Sequence, residues 1–474
     1  MLRIPLKFVI LLMACGTVLA SCGGRGILNG GGGTPPGTAP VVLTMTDTPP
    51  TNVSILSAQV TLTGATLSPG NVPVFSGSTT VELTRLQTDV AYLGTTLVPP
   101  GSYTGIMLTF SNPKLTIEND TGSPIATTCL TTICTLQAIA ANLSTTITLS
   151  PAMAVSATSS GGLLVDVNLN SLLSATLGAD FINGVSVSQF IPASTGVTPV
   201  VAEDVVGAVA STDATHSKFS LQNAVGTVSL TVDNSTTFLN FPTGTCTTFS
   251  IACVQANQIL SVDISIRADG TPVARNVLFE DADSSDIEVE GIITSTGSLT
   301  FKMVTLAEST GIPSLPIGTP TTVTFTSLTP SDVDFTHVDS IQMDTSAFLF
   351  TISQPTDLIV GQQVQVRRNP ASAGTTVVAD RVRLRSSRVS GTYQSGPSTL
   401  FTMGALPSLF IVHAVQTLQV QTASGSVSAI CTGTSIGIGA NCSSLVINHS
   451  ESVRGPLFAT TGSPTLVATR VVQR

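Results

Sequence analysis

Cysteine offers the most chemistry in this chain. Of the eight, Cys15 and Cys22 lie near the N-terminus, and the other six fall in local pairs: Cys129/Cys134, Cys246/Cys253 and Cys431/Cys442. Each pair shares a loop, so local disulfides are the expected pairing. Such bonds need an oxidising compartment and, closing short loops, contribute about 2–3 kcal/mol each. The spacing argues against zinc. There is no Cys-x-x-Cys, no His stands near the first two pairs, and His449 follows Cys442 by seven residues. Gly433-Thr434-Ser435-Ile436-Gly437 matches the Gly-x-Ser-x-Gly nucleophile pattern, which requires a strand, a sharp elbow and a helix. Here it sits in a Gly/Ser loop of a β-rich region, so Ser435 is not expected to be catalytic. A hydrolase reading would need His449 within hydrogen-bond reach of it. The four histidines, His216, His337, His413 and His449, show no ligand spacing. Glu280-Asp281-Ala282-Asp283-Ser284-Ser285-Asp286 could offer oxygen ligands to calcium. It lacks the Gly and bidentate Glu of an EF-hand, and a solvated linker is the favoured expectation.

The N-terminus carries a further signal. Arg3 and Lys7 precede the mostly apolar run Phe8–Val18, and Leu19-Ala20-Ser21-Cys22 follows. This is the pattern of a secretory signal, and it resembles the bacterial lipobox. The resemblance implies that residues 1–21 are removed and that Cys22 carries the lipid, making the membrane a partner through that anchor. Gly23, rather than Asp, after the cysteine implies the outer membrane of the cell envelope. Gly23–Pro40 is Gly-rich, then Pro-containing, and reads as a flexible tether over 22–40.

The elements that must position any site are strands. Thr, Ser, Val and Leu alternate with period two in Val60–Thr63, Val228–Val232, Val364–Val366 and Leu418–Val420, broken at short intervals by Gly, Pro, Asn and Asp. One helix is expected, over Leu169–Leu177 after a strand at Leu163–Val167. Hydrophobic residues make up 42% and charged residues 9%, Trp is absent, and 18 basic residues face 27 acidic ones. That balance argues against nucleic-acid binding, against an aromatic carbohydrate platform and against a rich polar active site. Nine arginines give residues 361–474 a charge of +7 against −16 elsewhere. A basic end of this kind could meet an anionic cell wall.

Two regions resemble known families. Leu43-Thr44-Met45-Thr46-Asp47-Thr48-Pro49 and Leu97-Val98-Pro99-Pro100-Gly101-Ser102-Tyr103 resemble the opening and the Pro-Gly-Tyr strand of the domain-of-unknown-function 4382 family, over most of 41–192. From 205 onward a frame recurs. It opens at Val206-Gly207, Val289-Glu290-Gly291 and Val389-Ser390-Gly391. It closes at Val273-Ala274-Arg275-Asn276-Val277, Val378-Ala379-Asp380-Arg381-Val382 and Val467-Ala468-Thr469-Arg470-Val471. This frame resembles the domain-of-unknown-function 5666 family, whose small barrels have an oligonucleotide-fold-like shape. The expected fold is therefore all-β: a β-sandwich over 41–192, then three small barrel-like repeats over 201–282, 286–387 and 388–474.

In the second repeat, the acids of Asp286-Ile287-Glu288-Val289-Glu290 and the arginines of Arg381-Val382-Arg383-Leu384-Arg385 each share one face. They are expected to meet as cross-strand pairs if these two strands close the barrel. The functional expectation is a lipid-anchored envelope protein with a structural, adhesive or partner-presenting role. It would have no enzyme activity or cofactor, and an envelope protein or cell-wall component as partner. A binding module for a small ligand or assembly partner is the alternative, and a Ser435 hydrolase stands third. Cys22→Ser should release the protein from the membrane fraction or block signal cleavage. A correctly cleaved Cys22→Ser form that stays in the membrane fraction would refute the anchor.

Overall fold

The computed structural model describes residues 37–48, 55–119, 132–137, 139–158, 160–172, 178–190, 200–223, 226–242, 244, 246–267, 269–282, 288–308, 315–325, 357–369, 376–397, 399–422, 445–460 and 462–473. The chain is all-β. Its first part is a sandwich of nine strands with a separate two-stranded sheet, β7 with β10; in chain order the strands are β1 (Ala39–Thr48), β2 (Ile55–Ser68), β3 (Val72–Glu82), β4 (Ala91–Val98), β5 (Gly101–Glu118), β6 (Ile133–Gln137), β7 (Ile139–Asn142), β8 (Ser144–Val155), β9 (Gly161–Asn168), β10 (Gly178–Asp180) and β11 (Val185–Phe190). One sheet has the order β11-β9-β1-β4. The other runs β3-β2-β5-β6, with β8 also on β5. Their inner faces share one core, with Leu43, Met45 and Val165 from the first sheet and Leu62, Ile106, Leu108 and Phe110 from the second. Strand β1 is central and buried on both faces, which explains its unbroken apolar run. Tyr103 folds back over its turn, and its hydroxyl donates to the Pro99 carbonyl at 2.9 Å. That contact is the physical content of the Pro-Gly-x-Tyr motif. The expected helix is one turn, α1 (Leu169–Leu172), and residues 173–177 lie outside the described residues.

Three five-stranded barrels follow. The first comprises β12 (Val200–Asp213), β13 (Lys218–Asn223), β14 (Gly226–Thr231), β16 (Ile259–Ile266) and β17 (Pro272–Asp281), with the short β15 (Thr237–Leu239) beside β17. The second comprises β18 (Glu288–Thr296), β19 (Thr300–Glu308), β20 (Pro320–Phe325), β21 (Gln363–Arg368) and the first half of β22 (Thr376–Ser395). The third takes the second half of β22, then β23 (Leu400–Gly404), the one-turn α2 (Ser408–Ile411), β24 (Leu418–Thr422), β25 (Ser450–Phe458) and a last strand interrupted at Thr469, β26 (Thr465–Ala468) with β27 (Arg470–Gln473). All three close alike. The first strand pairs with the second and fourth, the fifth pairs antiparallel with the fourth, and the fifth returns parallel to the third: Thr231↔Val273, Val323↔Val377 and Val420↔Leu466.

This closure explains the repeated frame. Gly207, Gly291 and Gly391 sit where the first strand crosses the second. A Cβ there would stand 2.6–2.7 Å from the carbonyls of Gln222, Val304 and Gly404 respectively. Only glycine lets the backbones approach so closely. The Val-Ala-x-x-Val motif marks the point where the fifth strand leaves its parallel partner for its antiparallel one. Ala379 and Ala468 end the parallel stretch, Ala274 directly follows it at Val273, and each is followed by a bulge or break at Asp380, Thr469 or Arg275-Asn276 respectively. The bulge bends the strand around the barrel.

Two expectations are corrected. The border at 387/388 falls inside β22, a continuous strand of twenty residues shared by two barrels. Val382 and Leu384 point into the second barrel, whereas Val389 and Tyr393 point into the third. The first half of the strand, paired with β21, therefore lines the second barrel, and the second half, paired with β25, lines the third. Second, β18 and β22 do not pair within the second barrel, because β21 lies between them. The closing strand must cover the fourth before it reaches the third.

Gly291→Ala is expected to cost about 1–3 kcal/mol, because two hydrogen-bonded backbones must separate. Gly64→Ala in β2, where a Cβ meets nothing within 4 Å, serves as the control. Urea denaturation of the two variants checks the difference.

Candidate functional site

The few charges of this chain gather where the sandwich meets the barrels. The sandwich contributes the 3₁₀ turn Leu83–Gln87 and the residues up to Asp89. The turn is held from both sides. The buried Glu82 carboxylate accepts from Ser57 Oγ (2.6 Å), Ala58 N (2.7 Å), Thr84 Oγ1 (2.8 Å) and Thr84 N (3.3 Å). Burial nonetheless raises its pKa. Thr46 Oγ1, from the central strand β1, is shared between the carbonyls of Leu86 and Asp89 at 3.1 Å each. So fixed, Arg85, Gln87 and Asp89 face the barrels.

Each of the three meets a partner. Arg85 pairs with Glu290 of β18 at 3.2 Å. Gln87 Oε1 accepts from Ser390 Oγ at 3.1 Å. Asp89, 3% exposed, binds Arg388 of β22 through Oδ2 (2.6 Å) and Arg454 of β25 through Oδ1 (3.2 Å). Arg388 and Arg454 are cross-strand partners, so one carboxylate bridges two neighbouring cations. Unpaired, those like charges would be costly to bury.

A second set of pairs lies on the outer face of β18, β21 and β22. Glu288, Arg367 and Arg381 form one row across the three strands, and Glu290, Gln365 and Arg383 the next. Arg381 reaches past Arg367 to Glu288, and it also meets Asp281 at 2.6 Å. Arg385 pairs with Glu280, and Arg383 donates to the Glu280 carbonyl at 2.9 Å. Glu280 and Asp281 end β17, so these contacts tie the first barrel to the second. Burial disfavours the Arg381 cation, but Asp281 and Glu288 outweigh it and raise its pKa. Burial and the neighbouring Arg381 instead lower that of Arg383. Of the expected acid–arginine pairs, Glu288–Arg381 forms across the intervening strand, whereas Glu290 pairs with Arg85 of the sandwich and Arg383 and Arg385 turn to the end of β17.

Apolar and backbone contacts complete the junction. Leu56 of the sandwich, Val304 of the second barrel and Leu409 of α2 form one buried cluster. Val42 of β1 enters the core of the first barrel. The turn before β20 docks on the sandwich. Gly318, at φ +83°, offers its carbonyl to Thr116 Oγ1 at 2.7 Å and Thr135 Oγ1 at 3.2 Å, while Gln59 Nε2 donates to the Ile317 carbonyl at 2.7 Å.

The residues singled out by sequence are placed as follows. Cys246 and Cys253 form a disulfide with Cα atoms 5.0 Å apart, packed into the first barrel between its third and fourth strands. Cys134 is disulfide-bonded, while Cys129, Cys431, Cys442, Cys22, Ser435 and His337 lie outside the described residues. His216 is exposed and meets Asp213 at 2.6 Å; His413 and His449 are exposed and separate. Glu280 and Asp281 are buried against arginines rather than solvated, and residues 283–287 lie outside the described residues. Among the described residues no His, Cys, Asp and Glu side chains converge as a metal-ligand group. No helix there is long and apolar enough to cross a membrane. Of the nine arginines in the basic C-terminal region, Arg383, Arg385, Arg454 and Arg470 are buried. Sequence reasoning passed over Glu82, Arg85, Gln87 and Asp89. Their signal was a run of three charges and a Gln within eight residues of a chain that is 9% charged.

No family model matches the chain, and no curated protein matches it in sequence. Among solved structures, drosophila Unr CSD456 is matched at 11% identity over 58% of this chain and 97% of the other, with a TM-score of 0.14. That value is too low to carry an argument.

Asp89→Ala is expected to cost about 3–5 kcal/mol, because it removes the shared carboxylate from two buried guanidinium groups. Arg85→Ala, at a pair whose side chains are 17% and 11% exposed, should cost less. Chemical denaturation of both variants provides the check.

Proposed function

We propose that this protein is a lipid-anchored component of the bacterial cell envelope. Its β-domains form one stiff body with a structural or partner-presenting role and without catalysis. The observation that carries the reading is the clamp. Arg85, Gln87 and Asp89 of the sandwich hold the second and third barrels, and Glu280 and Asp281 hold the first barrel to the second. Buried charge used in this way fixes the orientation of domains and is withdrawn from contact with any outside partner. The lipobox-like Cys22 and the Gly-rich stretch to Pro40 supply an anchor and a tether for such a body. The Cys246–Cys253 disulfide accords with an oxidising compartment.

Small-angle scattering on the mature chain tests the stiff body. A compact particle of this length has a radius of gyration of about 22 Å, whereas domains strung on linkers would give a clearly larger value. Cell fractionation tests the location. Recovery of the chain in the cytoplasm with free thiols at Cys246 and Cys253 would overturn the envelope reading.

A further inference from the structure

Most buried carboxylates described above have several donors or a cation; among the described residues Glu451 has neither. It stands near the start of β25 and is 1% exposed. Val453 and Leu457, on the same face of the strand, belong to the core of the third barrel, so Glu451 points into the end of that barrel. Its Oε1 accepts from Gln473 Nε2 at 2.9 Å, while Oε2 has no hydrogen-bond partner among the described residues. The cross-strand neighbours of Glu451 are Gly391 and Gln473. Arg388, Arg454 and Arg470 form one cross-strand row at alternate positions and project from the outer face, and Arg381, Arg383 and Arg385 of β22 meet residues of β17 and β18. Tyr393, on the inner face, directs its hydroxyl to the Gly396 carbonyl. His449, in the adjoining segment, is exposed. Arg474 lies outside the described residues.

Gln473 connects this acid to the segment that leads into β25 at the barrel end and whose Leu445 packs against the core. Its Nε2 donates to the Val446 carbonyl and its Oε1 accepts from Val446 N, both at 3.2 Å, in the manner of an added strand. Asn448 N donates to the Tyr393 carbonyl at 2.9 Å, and Tyr393 N donates to that of His449 at 3.1 Å. Val446 and Ile447 turn outward, 47% and 58% exposed.

From this geometry we infer that Glu451 is a proton-operated latch: as the neutral acid it permits residues 445–449 to close the end of the third barrel, and as the carboxylate it opens them. A neutral carboxyl is tolerated with a single partner in an apolar barrel, but a carboxylate there requires water. Glu451 shares its anchor, Gln473, with this segment, so water that reaches Oε2 displaces the contact that holds Val446. Burial raises the acid to about 7, against which the hydrogen bond from Gln473 acts only in part. The folded-state value lies above that of the unfolded chain. The closed form is therefore fully favoured below about 4.5, and its advantage is lost as pH rises through 7.

Hydrogen exchange at Val446 and Asn448, followed from pH 5 to 8.5 and corrected for intrinsic exchange, tests the latch. Protection should fall between about pH 5 and 7, by up to about tenfold per pH unit, and level off above 7. In Glu451→Gln it should stay near the low-pH level throughout, and in His449→Asn it should follow the wild type. A pH-independent wild-type profile, an unchanged pH dependence in Glu451→Gln, or its loss in His449→Asn would each overturn the proposal. Should Glu451→Gln not fold, carboxyl-carbon NMR of the wild-type chain decides, since a Glu451 midpoint below about 5 is incompatible with the latch.

Discussion

A cation buried at a domain interface must meet an anion there, and this requirement shapes the molecule. Arg388 and Arg454 stand side by side on adjacent strands of the third barrel. Neither could be buried beside the other without Asp89 from the sandwich. Asp89 is held in turn by the hydroxyl of Thr46 on the central strand and follows a turn capped by Glu82. The contact between domains thus leads back to the core of the first domain. A domain boundary that ends in paired buried charge resists sliding, because any shift leaves a charge unpaired.

Sharing of β22 between two barrels adds a second constraint. The first half of β22 lines the core of the second barrel and its second half that of the third. The second and third barrels cannot rotate about a linker, since none exists between them. Phe458 and Val467 of the third barrel complete the core of the second. The first barrel lacks a shared strand and is joined instead through Glu280, Asp281 and the apolar contact of Val42. Three copies of one topology are therefore attached by two different means, covalent continuity in one case and charge pairing with apolar contact in the other.

The same accounting bears on function. In a chain with so few ionisable side chains, those drawn into the junction are withheld from the surface. The outer faces of β13 and β14 in the first barrel carry Lys218, Ser220, Gln222, Thr227 and Ser229 rather than aromatic rings. The barrel shape alone therefore gives no ground for assigning nucleic-acid binding.

Local features were legible in the amino-acid sequence because they depend on neighbours along the chain. Period-two alternation located β2, β14, β21 and β24. The Pro-Gly-Tyr turn, the glycines of the opening frame and the Val-Ala-x-x-Val motif marked real backbone requirements, and the close spacing of Cys246 and Cys253 anticipated their bond. The candidate site was not legible in this way. Arg381, Arg383 and Arg385 showed that their side chains share a face, but not that β21 would separate them from Glu288. Nothing near Asp89 in sequence announces partners 299 and 365 residues away. Side-chain alternation is set by the backbone of a single strand. Strand adjacency and the pairing of buried charge depend on how the whole chain closes its barrels and packs them together, so only the tertiary structure decided them.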